Sequence, residues 1–86
     1  MLEKLNEKID VITIYRRVGA QVKIHKIRWN GRDYKITHHS YHHKIREGRH
    51  VFHIFHVGTD ALSFRLKHDP DILSWTLEEV SDGLTN

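Results

Sequence analysis

Asn30-Gly31 lies between two stretches of alternating apolar and polar residues, and no other feature of this 86-residue chain restricts its fold as much. A two-residue type I′ turn needs positive φ at both central positions, which Asn and Gly adopt at least cost, so the dipeptide predicts a β-hairpin and fixes its register. Trp29 then opposes Arg32, Arg28 opposes Asp33, Ile27 opposes Tyr34, Lys26 opposes Lys35 and His25 opposes Ile36. One face carries Ile27, Trp29, Tyr34 and Ile36 and reads as core. The other gathers Lys26, Arg28 and Lys35, with Asp33 as its only acid. Lys26 directly across from Lys35 disfavours the hairpin by itself; it becomes tolerable where the ammonium groups splay into water or meet an anion.

The rest of the chain is punctuated in the same manner. Between Gly19, Gly31, Gly48, Gly58, the sole proline Pro70 and Gly83 lie runs rich in Ile, Val, Thr, Tyr, Phe and Trp, which suit a pleated, half-buried surface. Strands are expected near 9–18, 21–29, 32–45, 49–57, 61–67 and 72–80. Residues 2–8 read as a short helix or a tail, with Leu2, Leu5 and Ile9 on one stripe. The expected fold is all-β: one small domain over residues 1–86, an antiparallel meander of about six strands forming a twisted sheet or a small barrel. A chain this short has a small core. Its 38% hydrophobic and 29% charged residues suit a soluble globular domain rather than a disordered one.

Arg46-Glu47-Gly48-Arg49 reads as a second hairpin turn. With Glu47-Gly48 as its loop, His42 opposes His53, His39 opposes His56, His43 opposes Phe52 and Tyr41 opposes Ile54. Alternation then places His39, Tyr41, His43, Phe52 and His56 on the side of Lys26, Arg28 and Lys35, a basic face with interleaved rings. Phe55 and Val57 fall on the Trp29 side, so the strand over 49–57 is apolar on both faces; it is central to its sheet or bent by a bulge.

The net charge of +3 hides an asymmetry. From Arg16 to His56 ten Lys/Arg stand against Asp33 and Glu47, while the two ends carry nine acids against Lys4, Lys8, Arg65 and Lys67. Eight of the nine histidines also sit in the basic block, so mild acid raises its charge further. Either the blocks neutralise each other across the fold, or an anionic partner docks on the centre.

Nine histidines and no cysteine raise the question of metal or catalysis. A closed zinc site needs three or four convergent ligands. In a strand His38 and His39 point to opposite faces, as do His42 and His43, so the "HHSYHH" run divides into pairs instead of converging. No nucleophile elbow, carboxylate pair or phosphate-binding glycine loop accompanies them. The expectation is a non-enzymatic chain with no metal and no cofactor, whose cross-strand histidine pairs repel at acid pH and lower its stability below about pH 6. The absence of cysteine fits a reducing compartment, and neither a signal-peptide core nor a membrane-length apolar run is visible, so the cytoplasm is the expected location with no membrane partner.

At "IRWNGRDYKI", Ile27 to Ile36, the chain resembles a family of short bacterial domains of uncharacterised function that carry an apolar-Arg-Trp-x-Gly-Arg-x-aromatic-x-apolar run. Its end is similar too: Phe64, Leu66 and Asp69 precede Trp75, Leu77, Val80 and Asp82, as the family's acid-terminated strand precedes its tryptophan strand. The resemblance covers roughly residues 20–82. In the middle the family often has Trp or Arg where this chain has His38, His39, His42 and His43, so no histidine role is carried over. Some members lie beside genes for error-prone DNA polymerases, which implies a nucleic-acid connection.

Together these readings predict a small binding module that contacts DNA or RNA phosphates through Lys26, Arg28 and Lys35, with Arg46 and Arg49, and with Tyr41 as a base-stacking ring. The competing expectation is a protein-interaction or self-assembly domain that pairs the same basic centre with an acidic partner or with its own Asp69, Asp71, Glu78, Glu79 and Asp82. Trp29 and Trp75 are expected to anchor the core, and Gly31 to serve its turn.

Overall fold

A computed structural model describes residues 2–16 and 21–82, which form seven strands and no helix. They are β1 (Leu2–Arg16), β2 (Gln21–Trp29), β3 (Arg32–Lys35), β4 (His38–Glu47), β5 (His50–Gly58), β6 (Ser63–Asp69) and β7 (Ser74–Ser81). All belong to one antiparallel sheet in the order β3-β2-β1-β7-β6-β5-β4. Two meanders, β1 to β3 and β4 to β7, are thus joined along β1 and β7.

The end strands β3 and β4 are consecutive in the chain, with only Ile36 and Thr37 between them. A flat sheet of seven strands is about 29 Å across at ~4.8 Å per strand, whereas so short a link spans only about 10 Å. The sheet therefore curls until its ends meet. Thr37 N–H donates to Gly58 O at 2.8 Å and Ile36 N–H to His25 O at 2.9 Å, tying the link to both meanders. His39 Nε2 donates to Ile24 O at 2.8 Å across the same seam. The end strands do not pair with each other, so the sheet is not closed into a barrel.

The core lies on the concave side. Ile24, Ile27, Ile36, Val57, Phe64, Leu66, Leu77 and Val80 are buried there, with Trp29, Tyr34, Phe55 and Trp75 packed around them. Phe64 sits edge-on to Trp29 and Tyr34, at ring separations of 6.4 and 5.5 Å, and so docks the first meander on the second. Bulges keep this face apolar where strict alternation would fail. The β1–β2 register passes from Ile12↔Lys26 to Thr13↔Ile24 and leaves His25 unopposed, so Ile24 and Ile27, three residues apart, both point inward. Glu78 is passed over in the same way against β6, and Leu77 and Val80 share the core.

Several expectations need correction. Residues 2–8 are strand, not helix: a spacing of four, as from Leu5 to Ile9, satisfies a strand face as well as a helix stripe, and pairing with β7 decides. The expected strand over 32–45 is two strands at opposite ends of the sheet, giving seven instead of six; no Gly or Pro marks the break. The second turn is Gly48-Arg49, because Gly48 takes φ of 63° and relieves Glu47 of that conformation. The β4–β5 register therefore differs by two residues from the expected one: His42 opposes Phe55, His43 opposes Ile54 and Tyr41 opposes His56. A shift of two preserves the faces, except that the bulge between His39 and Tyr41 moves His39 to the concave side, opposite Val57. Residues 17 and 18 of the expected first strand lie outside the described residues.

Candidate nucleic-acid interface

The β2–β3 hairpin has the expected register, with Trp29↔Arg32, Arg28↔Asp33, Ile27↔Tyr34 and Lys26↔Lys35. Asn30 and Gly31 supply φ of 55° and 76°. Because Ile27, Trp29 and Tyr34 pack inward, Lys26, Arg28, Lys35 and Asp33 share the convex face. The His25 bulge adds a cation that strict alternation hides. Counted back from Trp29 by twos, Lys23 belongs with the core, but the extra residue turns it outward, opposite Ile14. Asp10, opposite Arg28, is the second acid of this surface.

Asp33 is shared: its Oδ1 lies 3.3 Å from Arg28 Nε and its Oδ2 lies 4.0 Å from Lys26 Nζ. One carboxylate thus partly offsets two cations. Exposed pairs of this kind contribute about 0–1 kcal/mol, so either cation can exchange Asp33 for another anion at small cost. Among the described residues no ion pair holds Lys23 or Lys35. Four cations against two carboxylates leave the convex face of this hairpin electropositive.

Tyr41 is 60% exposed on the convex face of β4, with the rings of His43 and His56 at 5.0 and 5.6 Å. Burial first, then Arg65 and His43, hold the His56 imidazole below its ordinary pKa, against the opposing pull of Glu79 and Glu78. Arg46 does not join this surface: alternation along β4 places it with His42 and Lys44, on the other face from Tyr41. Arg49 occupies the second position of the Gly48-Arg49 turn, at the tip of the β4–β5 ribbon. The structure therefore gathers Lys26, Arg28 and Lys35 with Lys23, sets Tyr41 on the same convex side but on the opposite end strand, and separates Arg46 and Arg49 from both.

The second histidine group lies on the concave side. His42 Nε2 and His53 Nδ1 are 2.9 Å apart, a diagonal contact in which one nitrogen donates and the other accepts. His42 also stacks on Phe55 at 4.3 Å, and His68 stacks on Trp75 at 4.3 Å while its Nδ1 donates to Ser74 O. The pKa values of both His42 and His53 are lowered, chiefly by burial, with smaller contributions from neighbouring histidines and Lys44. Among the described residues no group of three His, Asp or Glu converges to hold a metal.

The acidic residues of the C-terminal third are partly engaged within the fold. Glu78 accepts from Arg65 Nε at 2.9 Å, Asp71 lies 3.4 Å from His50, and Asp69 accepts the Asp71 N–H. Comparison with protein-family models, curated proteins and solved structures gives no match to this chain.

Proposed function

We propose that this protein is a non-enzymatic module that binds nucleic acid, contacting phosphates with Lys23, Lys26, Arg28 and Lys35 on the convex face of β2–β3. The observation that carries the reading is the sharing of Asp33 between two cations while Lys23 and Lys35 have no ion pair among the described residues. Lys26 and Lys35 directly opposite each other are a like-charge pair that a bound phosphate would relieve. Tyr41, exposed on the same convex side, offers a ring on which an unpaired base can stack. Arg46, on the other face of β4, and Arg49, at the tip of the β4–β5 ribbon, lie apart from this surface and act on bound nucleic acid only as longer-range charges. The engagement of Glu78, Asp71 and Asp69 inside their own chain favours this reading over one in which the acidic segments are the basic surface's partner.

The test is fluorescence anisotropy with labelled single- and double-stranded DNA and RNA at low salt. Binding that Tyr41→Ala weakens for single strands more than for duplex is the expected result. Absence of binding to all four at the lowest salt would end the proposal.

A further inference from the structure

β1 is shared between the meanders in two halves. Leu2–Ile9 pairs with β7, and Asp10–Arg16 pairs with β2. Because β7 begins at Ser74, with Trp75 opposite Ile9, the lane beside Asp10–Arg16 on the side away from β2 holds no strand among the described residues. Alternate main-chain N–H and C=O groups of a strand point to each side, so this lane presents a row of unpaired donors and acceptors.

The residues along the lane are the kind that pair. Val11-Ile12-Thr13-Ile14-Tyr15 is uncharged and wholly β-branched or aromatic, and Ile12, Ile14 and Tyr15 are exposed at 52%, 43% and 66%. Where β7 leaves β1, a cleft of about 310 Å³ is lined by Lys8, Ile9, Asp10 and Val11 on one side and Leu73, Ser74 and Trp75 on the other. Leu73 and its neighbour Ile72 are themselves exposed at 76% and 68%. Four of the seven exposed large hydrophobics among the described residues, Ile12, Ile14, Tyr15 and Leu73, thus border one strand edge.

We infer that this edge pairs with the same edge of a second copy, forming a two-fold symmetric antiparallel dimer centred on Thr13. The pattern is self-complementary under that operation. Ile12 meets Ile14 of the second copy, Val11 meets Tyr15, and Thr13 meets its own equivalent. The β1–β7 register sets Ser74, the first residue of β7, beside Asp10, so the five-residue window from 11 to 15 is the stretch of the lane that an incoming strand occupies without displacing any described strand. An unrelated extended peptide would gain the same main-chain bonds but not the matched apolar pairs.

The test is sedimentation equilibrium of the full chain over a concentration series, with far-UV circular dichroism to confirm that each variant is folded. Ile12 and Ile14 oppose Lys26 and Lys23 within the chain, so each glutamate of Ile12→Glu/Ile14→Glu faces a lysine inside its own copy, yet the variant sets Glu against Glu twice between copies. Ile12→Glu/Ile14→Lys instead sets Glu against Lys twice; it also places a lysine opposite Lys23 inside each copy, and the circular dichroism check shows whether the fold accommodates it. A wild-type dimer, dissociation at least about tenfold easier in the first variant, and recovery of the dimer in the second are expected. A monomeric wild type overturns the inference, as does a dimer that both folded variants leave unchanged or that the second fails to restore.

Discussion

The two hairpins β2–β3 and β4–β5 use the same length of turn and differ in almost everything built on it. In β2–β3 both turn residues take positive φ, the inward face is Ile27, Trp29 and Tyr34, and the outward face carries permanent charge. In β4–β5 only Gly48 takes positive φ, apolar residues appear on both faces, and histidines stand where the other hairpin has lysine and arginine. The first is a charged outer surface on a firm apolar anchor. The second is a ring-lined ribbon whose charge depends on pH.

Truncating one isoleucine in each separates β2 from the end strand β4 most sharply. Ile27 is 1% exposed within the core cluster, whereas Ile45 is half-buried on β4. Ile27→Ala is expected to cost about 2–5 kcal/mol in urea denaturation and Ile45→Ala less than about 1.5. Equal losses would show that β4 is anchored as firmly as β2, although the ribbon's fully buried residues, Ile54 and Val57, lie on β5.

The turn comes next in size. Gly31→Ala meets no steric neighbour but places an L side chain at φ of 76°, and is expected to cost about 1–2 kcal/mol. Asn30→Gly keeps the conformation and should be nearly neutral. If both changes are neutral by the same denaturation measurement, the hairpin does not depend on its turn.

Asp33→Asn removes the carboxylate shared by Arg28 and Lys26. At about 1 kcal/mol for an exposed charge near contact distance, nucleic-acid affinity should rise about fivefold at low salt. An unchanged affinity by anisotropy would place the bound anion elsewhere.

The smallest effect belongs to the histidine ribbon. His42, His53 and His56 have folded-state pKa values below that of a free imidazole, so the unfolded chain binds protons more readily. Their contribution to stability is complete above about pH 6.5 and is lost as pH falls from there through the folded values. Double protonation also breaks the His42–His53 hydrogen bond, since neither nitrogen can then accept. The melting temperature should be lower at pH 5.5 than at pH 7.5, and His53→Gln should flatten that difference. A rise on acidification would contradict the assignment.

The same contrast explains what the sequence could reveal. Asn30-Gly31 specifies its turn because both residues tolerate the left-handed region, and the faces of Lys26, Arg28 and Lys35 followed from it. Glu47-Gly48-Arg49 admits two loop placements, and the one chosen sets Gly48 at the first central position. The break at Ile36-Thr37 left no trace, because it is made by main-chain bonds to His25 and Gly58, distant in sequence, and not by a breaker residue. Lys23 was hidden for a related reason: the bulge at His25 is a property of the β1–β2 pairing, so alternation counted along one strand places Lys23 on the wrong side. The Asn30-Gly31 turn was legible from its own two residues; the placement of the Gly48-Arg49 loop and the features set by long-range pairing were not.

The most direct measurement is the salt dependence of oligonucleotide binding, by anisotropy, for the wild-type chain and for Lys23→Ala/Lys26→Ala/Arg28→Ala/Lys35→Ala. With about four phosphates contacted on a single strand, the logarithm of the association constant should fall with the logarithm of salt at a slope near −3, at ~0.7 per phosphate. The quadruple variant should bind weakly with a slope near zero. A quadruple variant that keeps the wild-type affinity and slope would show that the convex face of β2–β3 is not where nucleic acid binds.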